Sequence, residues 1–116
     1  MADVLQQNPR ANVRVFVVWE PVLPTDWRRP GPSQTAYIPD PRASHFWDLD
    51  RRLSAMYGGA ANHDALAVSR QVGFRMKDVV WDAALVYPPG VRWGQQANSL
   101  VAPVVRYRDQ LASVFR

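Results

Sequence analysis

Six of the ten prolines stand between residues 20 and 42: Pro21, Pro24, Pro30, Pro32, Pro39 and Pro41. Each lacks a backbone donor and turns the residue before it away from helical angles, so a long helix cannot occupy this stretch. It is preceded by VRVFVVW, residues 13–19, where Val13, Val15, Val17 and Trp19 alternate to one side and Phe16 and Val18 to the other. Both faces are apolar except at Arg14, which predicts a strand inside a sheet covered by helices. The chain then passes abruptly into EPVLPTDW and an irregular connection of a length that compact domains keep for functional loops or lids. A turn of helix near residues 33–37 is the regular structure it can hold.

The remaining elements follow from periodicity. Residues 1–12 are polar or small without a period and read as a flexible N-terminal arm or a short helix, leaving 13–116 as a single domain. A second strand at 43–47 leads into Asp48, suited to an N-cap, with Leu49, Leu53, Met56 and Tyr57 on one helical stripe and Gly58-Gly59 as the stop. Residues 60–73 can hold a further short helix with Leu66 and Val68 inward. Residues 79–87 form another apolar strand, interrupted by Asp82, and Pro88-Pro89-Gly90 lets 91–93 fold back as a hairpin. Pro103 opens a closing helix with Val104, Tyr107, Leu111 and Val114 or Phe115 on its stripe. The order predicts an α/β, three-layer domain with a four-stranded mixed sheet, the first two strands parallel and the last two antiparallel.

Composition removes whole classes of chemistry. There is no cysteine, which excludes disulfides, thiolate catalysis, thiol redox cycling and cysteine-based metal sites. No apolar run approaches the roughly 20 residues that span a bilayer. The start, MADVLQQNPRANV, lacks a basic region followed by an apolar stretch of signal length, so no membrane association and a cytoplasmic location are expected. The formal net charge is +4, with nearly all of the cations arginine. Those arginines are scattered, with Arg28-Arg29 and Arg51-Arg52 as the adjacent pairs, which favours a solvated surface over nucleic-acid contact.

Three segments, VFVVWEPVLPTDW (15–27), SHFWD (44–48) and VVWDAALVYPPGVRW (79–93), carry a resemblance to small bacterial thioredoxin-like proteins of unassigned function. The resemblance implies a reduced thioredoxin-like fold, a βαβ unit followed by a ββα unit. Thioredoxins place their CxxC just after the first strand of this fold, where the chain reads Trp19-Glu20-Pro21-Val22-Leu23. They place a cis-proline before the hairpin, where it reads Arg75-Met76-Lys77-Asp78. The resemblance therefore implies a scaffold without the thiol-disulfide activity.

On such a sheet, ligands favour the carboxyl ends of the parallel strands, which would bring Glu20, Asp26, His45 and Asp48 together as a candidate metal-binding or hydrolytic group. The competing readings are structural: Glu20 as a strand terminus, Asp26 as a turn former, His45 as a half-exposed strand residue and Asp48 as a cap. Asp82, inside an apolar strand, calls for a partner, and Arg14 is expected to supply a structural ion pair. Trp19, Trp47 and Trp81 read as core, and Trp27 and Trp93 as binding residues. The sequence favours a non-enzymatic scaffold that binds a protein partner or itself, needing no cofactor and no metal. Its alternatives are the Glu20, Asp26, His45 and Asp48 site and an accessory nucleic-acid module using Arg28, Arg29, Arg51 and Arg52.

Overall fold

A computed structural model describes residues 1–23, 25–58, 80, 82–92 and 97–115. The chain divides into two compact units, Met1–Arg51 together with Phe115, and Arg52–Val114.

The first unit opens with helix α1, Ala2–Gln7, whose Val4 and Leu5 are 3% and 1% exposed. Strand β1, Val15–Trp19, follows, then the short helix α2, Pro32–Thr35, and strand β2, Ala43–Trp47. β1 and β2 pair in parallel, with Val17 opposite His45 and Trp19 opposite Trp47. The ladder extends past both ends: the Val15 N–H donates to the Arg42 carbonyl, and the Asp48 N–H to the Trp19 carbonyl. Proline dictates α2: Pro32 takes its first turn, where no N–H is needed, and the Gln34 side chain accepts from the Gly31 N–H at 3.0 Å.

The second unit contains helix α3, Arg52–Gly58, strands β3, Ala84–Val86, and β4, Ser99–Val101, and helix α4, Val104–Ser113. β3 and β4 are antiparallel, Leu85 opposite Leu100. Its core holds Tyr57, Val101, Ala102, Val104, Leu111 and Ala112. Ser54, 1% exposed, accepts from the Val80 N–H through its hydroxyl at 2.9 Å, which satisfies its buried polar atom. The Tyr57 and Tyr87 hydroxyls are hydrogen-bonded to each other. Burial first, and that bond second, push the Tyr57 hydroxyl above the usual phenol range.

The pairing senses are those expected from sequence, but the four-stranded mixed sheet is not formed. The described strands make two separate two-stranded sheets in a small α/β protein, so the three-layer thioredoxin-like architecture is corrected accordingly. An apolar strand needs cover to be central, and neither face of β1 is sealed: Phe16 is 48% exposed, and the rest of the strand is half-buried. The partner of β3 is Ser99–Val101 rather than 91–93.

Three local readings also change. Regular helix begins at Arg52 and not directly after Asp48: Arg51, at φ 55°, takes the left-handed conformation, and its N–H donates to the Asp48 carbonyl at 3.3 Å. Tyr57 faces inward as expected, but it is joined by Ser54 and not by Leu49 and Met56, which are 46% and 41% exposed. In α4 the non-helical Tyr107, φ −116° and ψ 32°, breaks the 3.6-residue period, so burial passes to Leu111 and Ala112 and leaves Tyr107 39% exposed. The helix expected at 60–73 lies outside the described residues, as do Trp81 and Trp93.

Candidate functional site

The four residues expected to form a polar site all belong to the first unit, where His45 and Asp26 hold the chain in shape. His45 lies on β2, diagonally across the ladder from Trp19. The Trp19 indole N–H donates to His45 Nδ1 at 3.0 Å, and the two rings stack with centroids 6.1 Å apart. Since Nδ1 accepts, Nε2 carries the proton and donates to the Ile38 carbonyl at 3.3 Å. Both ring nitrogens are thus engaged, leaving no lone pair for a metal or a substrate proton. What His45 does instead is tie the end of the proline-rich connection to the sheet.

Asp26 closes a turn. Its carboxylate accepts from the Leu23 N–H at 2.9 Å, and its own N–H returns a bond to the Leu23 carbonyl at 2.9 Å. This is the local geometry by which short acidic side chains stabilise a reversal. Glu20 and Asp48, both half-buried, follow the two strands, and Asp48 continues the ladder through its backbone. Among the described residues no three histidine or acidic side chains are placed to hold a metal ion, so the structure does not gather these four into a metal centre.

The strongest polar constellation in this unit is one that the motif search passed over. Arg42, just before β2, forms a two-pronged pair with Asp40: Nε to Oδ1 and Nη2 to Oδ2, each 2.8 Å. Its remaining N–H groups reach back to the N-terminal segment, Nη2 to the Leu5 carbonyl at 2.9 Å and Nη1 to those of Asn8 and Ala11 at 2.9 and 3.1 Å. Every guanidinium donor therefore has an acceptor. The cation sits among carbonyls at and just beyond the C-terminal end of α1, each of which also accepts a backbone N–H, where a helix favours positive charge. These bonds, and the Arg42 N–H, hold the Asp40 carboxyl down at about 2. The signal available in sequence was Asp40-Pro41-Arg42 itself, an acid and an arginine two apart at a strand entrance.

Asp82 belongs to the second unit and also differs from its expected role. It lies outside β3 with φ 48°, a conformation that a short acidic side chain tolerates. Its partners are backbone groups: the Val104 N–H donates to its carbonyl at 2.8 Å and the Val105 N–H to its carboxylate at 3.0 Å. Pro103, at the N-cap of α4, has no side-chain acceptor, and Asp82 supplies one from across the chain. The carboxylate thus meets helix donors of its own unit, while Arg14 belongs to the first unit and is exposed at the entrance to β1.

The connection at 20–42 is accordingly braced at the Leu23–Asp26 turn, α2, Ile38 and Asp40, yet it displays large apolar side chains. Trp27 is 61% exposed, Tyr37 74% and Leu23 54%, and Arg28 and Arg29 beside Trp27 are exposed too. Arg51 and Arg52 stand at the boundary of the two units. Compared with known proteins, the chain matches no family model, no curated protein and no solved structure. No helix among the described residues is long and apolar enough to cross a membrane.

Proposed function

We propose that the chain is a non-enzymatic protein-interaction module whose contact surface is the proline-rich connection centred on Trp27. The observation that carries this reading is the exposure of Trp27 at 61% within a loop held by hydrogen bonds on either side. Tryptophan supplies the largest contact area of any side chain and dominates interface energetics. A segment already fixed in shape loses little entropy on binding. Arg28 and Arg29, with the net charge of +4, favour a partner whose surface is acidic around an apolar pocket. His45 and Asp26, two of the four residues of the hydrolytic reading, are engaged in holding the loop, which supports an interaction role in preference to it.

A photo-crosslinking amino acid at position 27, with a control at the still more exposed Val105, tests this in cells. A discrete adduct formed from position 27 and absent from position 105 is expected. Adducts alike from both positions, or none from position 27, would overturn the reading.

A further inference from the structure

Strand β2 carries an open backbone edge, away from the loop surface centred on Trp27. The bonds from the Val15 N–H to the Arg42 carbonyl and from the Asp48 N–H to the Trp19 carbonyl fix which groups of β2 look toward β1. In a parallel pair a residue sends both of its backbone groups to one side, and the next residue sends both to the other. Arg42, Ser44, Phe46 and Asp48 therefore face β1, and Ala43, His45 and Trp47 face outward. The Ala43 N–H turns back to the Asp40 carbonyl at 2.9 Å. Among the described residues, no strand or turn pairs with the other outward groups, the Ala43 carbonyl and both backbone groups of His45 and Trp47. The bonds that engage the His45 imidazole leave its backbone out. Natural edges are commonly blunted by proline, lysine or a bulge, and residues 43–47, ASHFW, pair in unbroken register and contain none of these.

We infer that this edge pairs with the same edge of a second copy of the chain, antiparallel, about a two-fold axis passing between the two His45 residues. The two β2 strands then become the centre of one continuous four-stranded sheet. The His45 N–H of each copy donates to the His45 carbonyl of the other, and each Trp47 N–H to the other copy's Ala43 carbonyl. The residue order selects a second copy as the occupant, because ASHFW runs from small to large about a central histidine. The two-fold operation sets Ala43 opposite the second copy's Trp47 on one face, and Ser44 opposite its Phe46 on the other. Each large side chain thus meets a small one, and Phe46, 49% exposed, gains cover. A register moved by two residues sets Phe46 against Phe46 or Ser44 against Ser44 and leaves part of each strand unpaired. Self-complementarity of this kind is what a two-fold interface requires. A five-residue edge offers less than the ~800 Å² per partner of a standard interface, so the dimer is weak, with a dissociation constant above about 1 μM.

The chain has no cysteine, so introduced ones read the register directly. In this pairing, position 44 of one copy and position 46 of the other stand about 4.5 Å apart at Cα, within reach of a disulfide. Two copies of position 44, or two of position 46, lie diagonally at about 7–8 Å, past the reach of an unstrained one. Under mild oxidation, a mixture of Ser44→Cys and Phe46→Cys chains is expected to give a disulfide-linked dimer, and either variant alone little or none. Sedimentation equilibrium of the wild-type chain is expected to show a monomer–dimer equilibrium. Phe46→Lys, which sets a charge on the edge strand, is expected to raise its dissociation constant by about tenfold or more. Thermal unfolding identifies any variant that fails to fold, and crosslinking at the exposed position 44 keeps the test open if Phe46→Lys does not fold. A wild-type monomer at every concentration, or crosslinking as fast in either cysteine variant alone as in the mixture, would overturn the inference. Trp27→Ala is expected to leave the dimer unchanged; its loss there would move the contact to the loop and overturn the edge pairing.

Discussion

The two units meet the same requirement with opposite charges. In each, one polar residue far away in sequence hydrogen-bonds the backbone groups at or just beyond a helix end. At the C-terminal end of α1 the groups are carbonyls and the residue is Arg42; at the N-terminal end of α4 they are N–H groups and the residue is Asp82. Each charge matches the helix end that it serves. The units differ in what stands behind the polar contact. Behind Asp82 lies a core of Tyr57, Val101, Val104, Leu111 and Ala112, whereas the buried apolar side chains of α1 are Val4 and Leu5. The first unit thus rests more heavily on its charged clip, and its sheet remains partly open to solvent. The comparison teaches that small units can be held by saturating backbone groups where apolar cover is thin.

That contrast can be broken in order of effect. Leu111→Ala removes a side chain only 1% exposed from the larger core, and a stability loss of about 2–5 kcal/mol is expected in denaturant unfolding. A loss well below 1 kcal/mol would mean that this core contributes little.

The clip should reveal itself through acid. Asp40 has its folded pKa depressed to about 2. Its stabilisation is therefore complete above the unfolded value of about 4 and is lost as pH falls through the folded one. Hydrogen exchange of the α1 amides is expected to accelerate across that window, and Asp40→Asn to abolish the pH-dependent component. An acid profile identical in the variant would remove Asp40 from the account.

Asp82→Ala deletes the acceptor for the Val105 N–H and is expected to cost about 1 kcal/mol, while Asp82→Asn keeps an oxygen there and most of the stability. Equal losses in both would show that charge, and not the hydrogen bond, matters. The smallest effect is reserved for Arg51→Gly: relief at φ 55° against a freer unfolded chain leaves a change within roughly 1 kcal/mol.

Local features were the readable ones. The 43–47 strand, the late start of regular structure after the prolines and the parallel sense of β1 and β2 all follow from alternation and proline chemistry within a few residues. The joining of the strands into one sheet was not readable, because apolar residues on both sides of a strand do not say what covers them. Phe16 is the instance: it reads as interior and stands half exposed. His45 reads in sequence as a site candidate or a strand residue, and its bonding depends on register, since the pairing of β1 with β2 brings the Trp19 indole to its Nδ1. Asp82 misled for a related reason: an acid within an apolar run looks like a strand defect until the backbone turns left-handed there and aims it at a helix.

The central proposal is that function resides in the exposed Trp27 and not in Glu20, Asp26, His45 and Asp48. The direct measurement is the affinity of the protein captured at position 27 for purified wild-type chain, Trp27→Ala and Glu20→Gln. A loss of about tenfold or more in Trp27→Ala, with Glu20→Gln close to wild type, is the expected result. Unchanged binding by Trp27→Ala alongside a loss in Glu20→Gln would contradict the account and return the site to the carboxylates.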